Sequence, residues 1–446
     1  MVEASYIKSS NEIGIERYVF PTKSYALYIS IFYLSLIGLS VGFVMSLTSF
    51  SFNSLYQALE LFSYILLVFS LTKLIKVNAE LSYFRMMVVI YMIWQVLILV
   101  RGDYSTFDYF ELKQFIFDLN YGGSLYFIPL LVFINFNMYL IKRLFDTAII
   151  LSVIYFLFFF LNFGVLFDSD LSNLISQGAA ETYFKYLAIP IGILVLNFNL
   201  LNDKVKPLIL VVLLMVFAVA IFRARRGMIF MAALITFFGG LNFFITSERK
   251  FSILFYLTYG LFGVFLLFFY SIGEDLGSNF FFKNVASRGL EDTRGYVENC
   301  FFNDMSSYDW FFGKGFNGGY KCPGIDESIF EGGLRRVIET DVLQLIMNGG
   351  IVNIFLLLAI ILPAIILGLF YSNNNLVKTL AIWILLWLIF LYPANVYSFS
   401  IFHISIWLSA GICFTSPIRN LPNSFVKKYF LSEFTMKPEL NKKNNA

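Results

Sequence analysis

The sequence predicts an all-α polytopic membrane protein, and three observations predict it. Apolar residues make up 59% of the chain, aromatic residues 20% and charged residues only 14%, far from the roughly 25% charged usage of soluble domains. Apolar runs of ~20 residues, long enough to cross a ~30 Å hydrocarbon core as helices, recur along nearly the whole sequence. Those runs are continuous, as in "LYISIFYLSLIGLSVGFVMSL", whereas a membrane β-barrel needs short alternating segments.

Taken in order, twelve spans are expected: 25–48, 55–72, 84–100, 121–137, 146–167, 183–200, 207–222, 227–246, 251–272, 349–371, 376–392 and 398–416. The second contains Glu60 and is the weakest. The polar segment 1–24 carries Lys8, Arg17 and Lys23 and has no short apolar stretch ending in a small-residue cleavage site, so the first span is expected to be retained. The division that follows is a cytoplasmic N-terminus 1–24, nine spans over 25–272, one large outer loop 273–341, three spans over 342–416 and a cytoplasmic tail 417–446.

Short loops rich in Lys and Arg stay cytoplasmic, which tests the count. One side collects the N-terminus, Lys73 and Lys76, Lys142 and Arg143, Lys204 and Lys206, Arg249 and Lys250, Lys378 and a tail with Arg419, Lys427, Lys428, Lys437, Lys442 and Lys443. The other side has an uncharged 49–54 loop, a loop with Asp103, Asp108, Glu111 and Asp118, and a loop with Asp168, Asp170 and Glu181. Both termini are therefore expected in the cytoplasm of a bacterial inner membrane. The stretch "AVAIFRARRGMIFMAAL" breaks the alternation, because seven spans precede Arg223, Arg225 and Arg226 and put them outside. Either a span is miscounted, or these cations hold an anion at the outer leaflet.

The large loop is rich in aromatics and glycine and mixes seven basic residues (Lys283, Arg288, Arg294, Lys314, Lys321, Arg335, Arg336) with a larger number of acidic ones. Such a surface suits sugars, whose C–H faces stack on rings while polar groups take the hydroxyls. Cys300 and Cys322 lie in this loop and Cys413 in the last span; on the outer face of an inner membrane the first two are a possible disulfide.

The inventory excludes several chemistries. The single histidine, His403, lies inside the last span and reads as a buried residue bonded to a neighbouring helix, so a histidine metal site is not expected. No phosphate-binding loop of the GxxxxGKT kind occurs, and "GKGFNGG" is too glycine-rich to be one. Nothing points to nucleic acid. Outer-face arginines and carboxylates remain. Arginine recognises phosphate and pyrophosphate in bidentate fashion, and a carboxylate can deprotonate an attacking hydroxyl. Glu339 is the expected base: it sits in "RRVIETDVLQLIMNGGIVNIFLLL", where the loop re-enters the membrane and partial desolvation is expected to raise its pKa. The bland alternative is that Glu339 or Asp341 caps the helix or pairs with Arg335 or Arg336.

These stretches resemble bacterial polysaccharide polymerases of the Wzy type, the O-antigen polymerases, and their relatives the O-antigen ligases. "RRGMIFMAAL" is similar to the family's S-R-G entry to a span, with Arg226 and Gly227 at its Arg and Gly and Arg225 in place of the small residue. "ASRGLEDTRGYVENCFFNDMSSYDWFFGKGF" is similar to the stretch where an arginine, here Arg288, precedes a helix and a G-x-G segment, here Gly313 and Gly315. "IETDVLQLIMNGGIVNIFLL" resembles the closing motif, with Glu339 where ligases typically carry His. The resemblance implies a glycosyltransferase C-like membrane fold and metal-independent transfer without a cofactor. An undecaprenyl-pyrophosphate-linked glycan would move onto the non-reducing end of another repeat unit. It implies that Arg226, with Arg223 or Arg225, contacts the pyrophosphate, that Arg288 is a second contact and that Arg335 and Arg336 are weaker ones. Membrane lipids are expected partners, and a chain-length regulator and a flippase are left open as others. The rival readings are a ligase, a lipid-linked oligosaccharide flippase or secondary transporter, and a non-catalytic sensor or assembly factor.

Overall fold

A computed structural model describes residues 21–48, 53–75, 82–102, 104, 109–168, 174–223, 225–246, 260, 295–323 and 334–431. The expected ninth span, Arg288, most of the N-terminal segment, the end of the tail and the loop stretches 273–294 and 324–333 lie outside the described residues.

The chain is an all-α, multi-pass membrane protein. Its first part comprises α1 (Lys23–Thr48), α2 (Asn53–Leu74), α3 (Tyr83–Val100), α4 (Tyr109–Phe117), a 3₁₀ helix (Gly123–Phe133) and α5 (Met138–Leu161). Next come α6 (Phe163–Leu166), α7 (Leu174–Tyr183), a π-helical turn (Phe184–Ala188), α8 (Ile191–Leu196), a second 3₁₀ turn (Phe198–Leu200), α9 (Lys206–Phe222) and α10 (Arg226–Thr246). The large loop contributes α11 (Gly295–Asp304), α12 (Ser307–Phe312) and an antiparallel pair, β1 (Tyr320–Lys321) and β2 (Leu334–Arg335). The chain then forms α13 (Asp341–Phe370), α14 (Asn375–Phe390), α15 (Ile401–Phe414), α16 (Ser416–Arg419) and α17 (Asn423–Leu431).

Among the described residues, six helices are long and apolar enough to cross a membrane: α1, α2, α3, α5, α10 and α13. Their surroundings confirm the chemistry. Helix α2 buries one stripe against α1 and leaves Leu55, Phe62, Ile65 and Val68 exposed, a cost no aqueous helix would tolerate and a gain in hydrocarbon. The interior is close-packed around Trp383, Trp387 and Trp407. Side chains start the helices where the sequence offers them: Asn137, Asn374 and Ser400 each accept from a backbone N–H of the first turn, at 2.8, 3.0 and 3.3 Å, which satisfies a donor the helix cannot.

Four expected spans differ in form. The 146–167 span begins at Met138, because Asn137 caps the helix there, so Lys142 and Arg143 lie on α5. The 121–137 span is a 3₁₀ helix around Pro129, whose missing N–H and ring disfavour α geometry. The 183–200 span is divided into a π turn, a short helix after Pro190 and a 3₁₀ turn. Last, α13 starts at Asp341 instead of near 349 and is broken at Gly350.

His403 is buried as expected, but its partners are local. Its Nδ1 faces the Ser398 carbonyl at 3.2 Å, and Trp407 on the same helix donates to its Nε2 at 3.1 Å. A neutral imidazole satisfies both contacts. The neighbouring helix supplies a stacked ring, Trp387.

Candidate functional site

The described part of the large loop folds on its own small core. Val297 and Phe301 of α11, Met305, Tyr320 of β1, Cys322 and Ile338 pack with Met347 of α13. Cys300 and Cys322 form a disulfide, with Cα atoms 5.2 Å apart. The link joins α11 to β1 and closes a loop of sequence separation 22, which removes entropy from the unfolded chain. A shallow groove of about 310 Å³ beside it is lined by Tyr296, Asn299, Asn303, Asp304, Lys321 and Pro323.

This unit is fastened to the bundle through a break in α13. At Gly350 φ is +70°, and an added Cβ would lie 2.0 Å from the Phe311 carbonyl oxygen, so only glycine fits. A break of this kind strips carbonyls of their intrahelical donors, and outside groups replace them. Lys314 N donates to Met347 O at 2.6 Å, Gly315 N to Asn348 O at 3.0 Å, Trp94 Nε1 to Gly349 O at 3.0 Å and Asn353 Nδ2 to Leu345 O at 3.2 Å. The glycine-rich "GKGF" is thus a strap over the broken helix. Lys314 itself pairs with Asp304 and donates to Gly319 O.

Where the loop returns to the bundle at Asp341, polar groups from four parts of the chain converge. Lys185 of the π turn donates to Asn120 Oδ1 and Asn395 Oδ1, both at 2.7 Å. Tyr186 also donates to Asn120, at 3.0 Å, and Asn395 donates to the Tyr121 hydroxyl. Asp341, at the start of α13, is buried and accepts from the backbone N–H groups of Val396 and Tyr397. Asp341, Asp118 and Glu181 all lie within electrostatic range of the Lys185 ammonium. Burial pushes the Asp118 carboxyl above its ordinary value, against the pull of the Asn120 and Tyr121 N–H groups and of Lys185. Among the described residues no three metal-binding side chains converge.

The arginine cluster joins this network through Glu181, which lies within electrostatic range of Lys185. Arg225 pairs with Glu181 at 2.9 Å and donates to Gln177 at 2.7 Å. The start of α10 lies against the 391–400 loop, where a Cβ on Gly227 would sit 2.8 Å from Pro393 O. Arg226 is exposed at the first position of α10. Arg223, by contrast, is only 1% exposed. Its guanidinium donates to Leu166 O at 2.8 Å, Val165 O at 2.6 Å and the Ser176 hydroxyl, so it ties the α9–α10 turn to the end of α6. Of the closing-motif residues, Arg336 pairs with Glu111 at 2.8 Å, and Arg335 donates to Val337 O at 3.0 Å and faces Glu339 at 3.9 Å. Glu339 is 58% exposed, whereas the buried carboxylate at the start of α13 is Asp341. Between Arg335 and Glu339 sits Tyr320, whose phenol burial pushes up to about 12, with Arg335 pulling down and Glu339 pushing up.

Sequence reading singled out the arginines, Glu339 and the cysteines, of which the structure pairs Cys300 with Cys322; it took Asp118 only as a loop charge and passed over Lys185, Asn120 and Asn395. A lysine inside an apolar run, in "ETYFKYLAIP", was the available signal.

Fold and site together define a multi-pass helical membrane protein with a buried network of charged and amide side chains near the point where a disulfide-bonded loop returns to the bundle. No protein-family pattern, curated protein or solved structure matches the chain.

Proposed function

We propose that this protein polymerises lipid-linked oligosaccharide repeat units at the periplasmic face of the bacterial inner membrane. Twelve spans, cytoplasmic termini and a periplasmic large loop complete the reading, and the Cys300–Cys322 disulfide suits that oxidising compartment. One observation supports it: a continuous polar network runs from the Arg225–Glu181 pair through Lys185 and Asn395 to Tyr121, whose hydroxyl lies within electrostatic range of Asp341 and Glu339. That is the charge pattern a pyrophosphate leaving group and a hydroxyl acceptor require.

In this scheme exposed Arg226, with Arg225 behind it, neutralises the pyrophosphate of an undecaprenyl-pyrophosphate-linked glycan. Arg335 and Arg336 steer the charged headgroup inward. Glu339 takes the proton from the acceptor's non-reducing-end hydroxyl, and the oxygen attacks the anomeric carbon. The bond to the pyrophosphate oxygen breaks, undecaprenyl pyrophosphate leaves, and the configuration inverts. The groove beside Tyr296, with Asn299, Asn303 and Lys321, offers a ring face and hydrogen-bonding groups for the sugar. A chain-length regulator and a flippase fit as partners.

The test is complementation of a deletion strain, read as the ladder of polymer lengths. Arg226→Ala and Glu339→Gln should reduce the ladder to single repeat units while membrane levels of the protein stay normal. Normal ladders from both variants would overturn the assignment, and polymer that accumulates on the carrier lipid without reaching its final acceptor would point to a ligase.

A further inference from the structure

The loop carries a second, apolar surface on α12. In α12, Tyr308 and Phe311 are 62% and 59% exposed, and Phe312 is exposed beside them. Phe302 of α11, also exposed, stacks on Trp310. Tyr308, Phe311 and Phe312, spaced i, i+3 and i+4, thus share one face of α12, while Phe302 and Trp310 stack on the side toward the loop core. The polar atoms around it are already engaged: Ser306 and Asp309 form a reciprocal cap at the start of α12, and Lys314 pairs with Asp304.

The depth of this face is fixed by α3, a helix apolar enough to span a membrane. Phe312 contacts Trp94 of α3, and Phe316 N donates to Ile98 O at 3.1 Å. Arg101, just past the end of α3, lies over the Trp94 ring at 5.5 Å and donates to the carbonyls of Phe312 and Gly313. Helix α12 therefore stands level with the last turn of a span, where hydrocarbon gives way to headgroups. It is also continuous with the exposed apolar side of α3, formed by Ile93, Val96, Leu97 and Val100. Tryptophan and tyrosine concentrate at that level in membrane proteins, because an amphipathic ring sits there at the headgroup boundary, and a cation beside them completes the pattern.

We infer that the aromatic face of α12, formed by Tyr308, Phe311 and Phe312, is a bilayer-docking surface: it inserts into the headgroup–acyl boundary of the leaflet at the loop end. The loop is then anchored twice, by the strap over the break in α13 and by insertion into lipid beside α3.

The test uses the full chain in phosphatidylethanolamine–phosphatidylglycerol vesicles, with Cys413→Ala removing the free thiol. A polarity-sensitive fluorophore is attached at Tyr308→Cys or Phe311→Cys, and at Tyr296→Cys as a loop control. Docking predicts blue-shifted emission at 308 and 311 and stronger quenching by a nitroxide near the headgroup end of the acyl chain than by one near its methyl end. The control should be quenched by aqueous iodide. Iodide quenching at 308 and 311 would overturn the inference. So would shielding from both quenchers accompanied by Tyr308→Cys crosslinks between copies, which would assign the face to a second copy of the chain.

Discussion

At the level of single residues, three neighbouring arginines divide into two kinds. The pattern "RARR" was legible as a cluster, but which guanidinium faces inward was not, because Val165, Leu166 and Ser176, the partners of Arg223, come from a distant part of the chain. Arg223→Ala leaves these buried acceptors without a donor and should cost about 3 kcal/mol, seen as a lowered unfolding temperature in detergent. Arg226→Ala, at an exposed position, should leave that temperature unchanged while removing the polymer ladder. Equal loss of stability in both would place both in the scaffold. Asp118 adds a pH dependence. Its folded-state pKa is raised by burial above the ordinary 3.8, so its protonated form is favoured in the fold. The contribution is fully present below 3.8 and is lost as pH rises through the raised value. Stability should therefore decline with pH across that window relative to Asp118→Asn, which lacks the titration; parallel profiles for the two proteins would count against it.

Single elements show why the helices were readable and their interruptions were not. Apolar length and caps such as Asn374 and Ser400 are local, and the expected spans at 207–222, 227–246 and 376–392 each begin within one residue of α9, α10 and α14. The break in α13 is not local. "MNGG" marks weak helix formation, yet the break persists because Lys314, Gly315, Trp94 and Asn353 supply donors to four carbonyls. Without that strap the carbonyls would be orphaned in an apolar interior. Gly350→Ala imposes strain at φ +70° and a clash with the Phe311 carbonyl. It should cost about 2 kcal/mol or more and release α12 from α13, read as faster proteolysis of the loop in membranes. The same change at Gly164, where an added Cβ meets nothing within 4 Å, should be nearly silent. If both behave alike, the strap is not what holds the loop.

For the molecule as a whole, the arrangement of charge sets the orientation. Hydropathy made the membrane class plain, but the arginines at 223–226 contradicted the loop charges, and packing relates them to the rest. The cluster meets Glu181, whose charge reaches Lys185; Lys185 meets Asn395; and the 391–400 loop holds Asp341, where the large loop returns. At the opposite end Lys142 lies over the Tyr429 ring and Asn374 donates to the Ile418 and Leu421 carbonyls. Single cysteines at Ala224 and Ser307 should therefore react together with an impermeant maleimide in intact spheroplasts, and one at Lys428 only after permeabilisation, all in a Cys413→Ala background. The result separates two electrostatic costs. If the arginines face outward, the topology penalty on positive loops has been overcome by the buried clamp of Arg223 and by the Arg225–Glu181 pair, and an anionic headgroup has reason to gather there. Labelling of Ala224 together with Lys428 would make the cluster an ordinary cytoplasmic anchor. The pyrophosphate role of Arg226 would then fall, while the folded loop and its disulfide would stand unchanged.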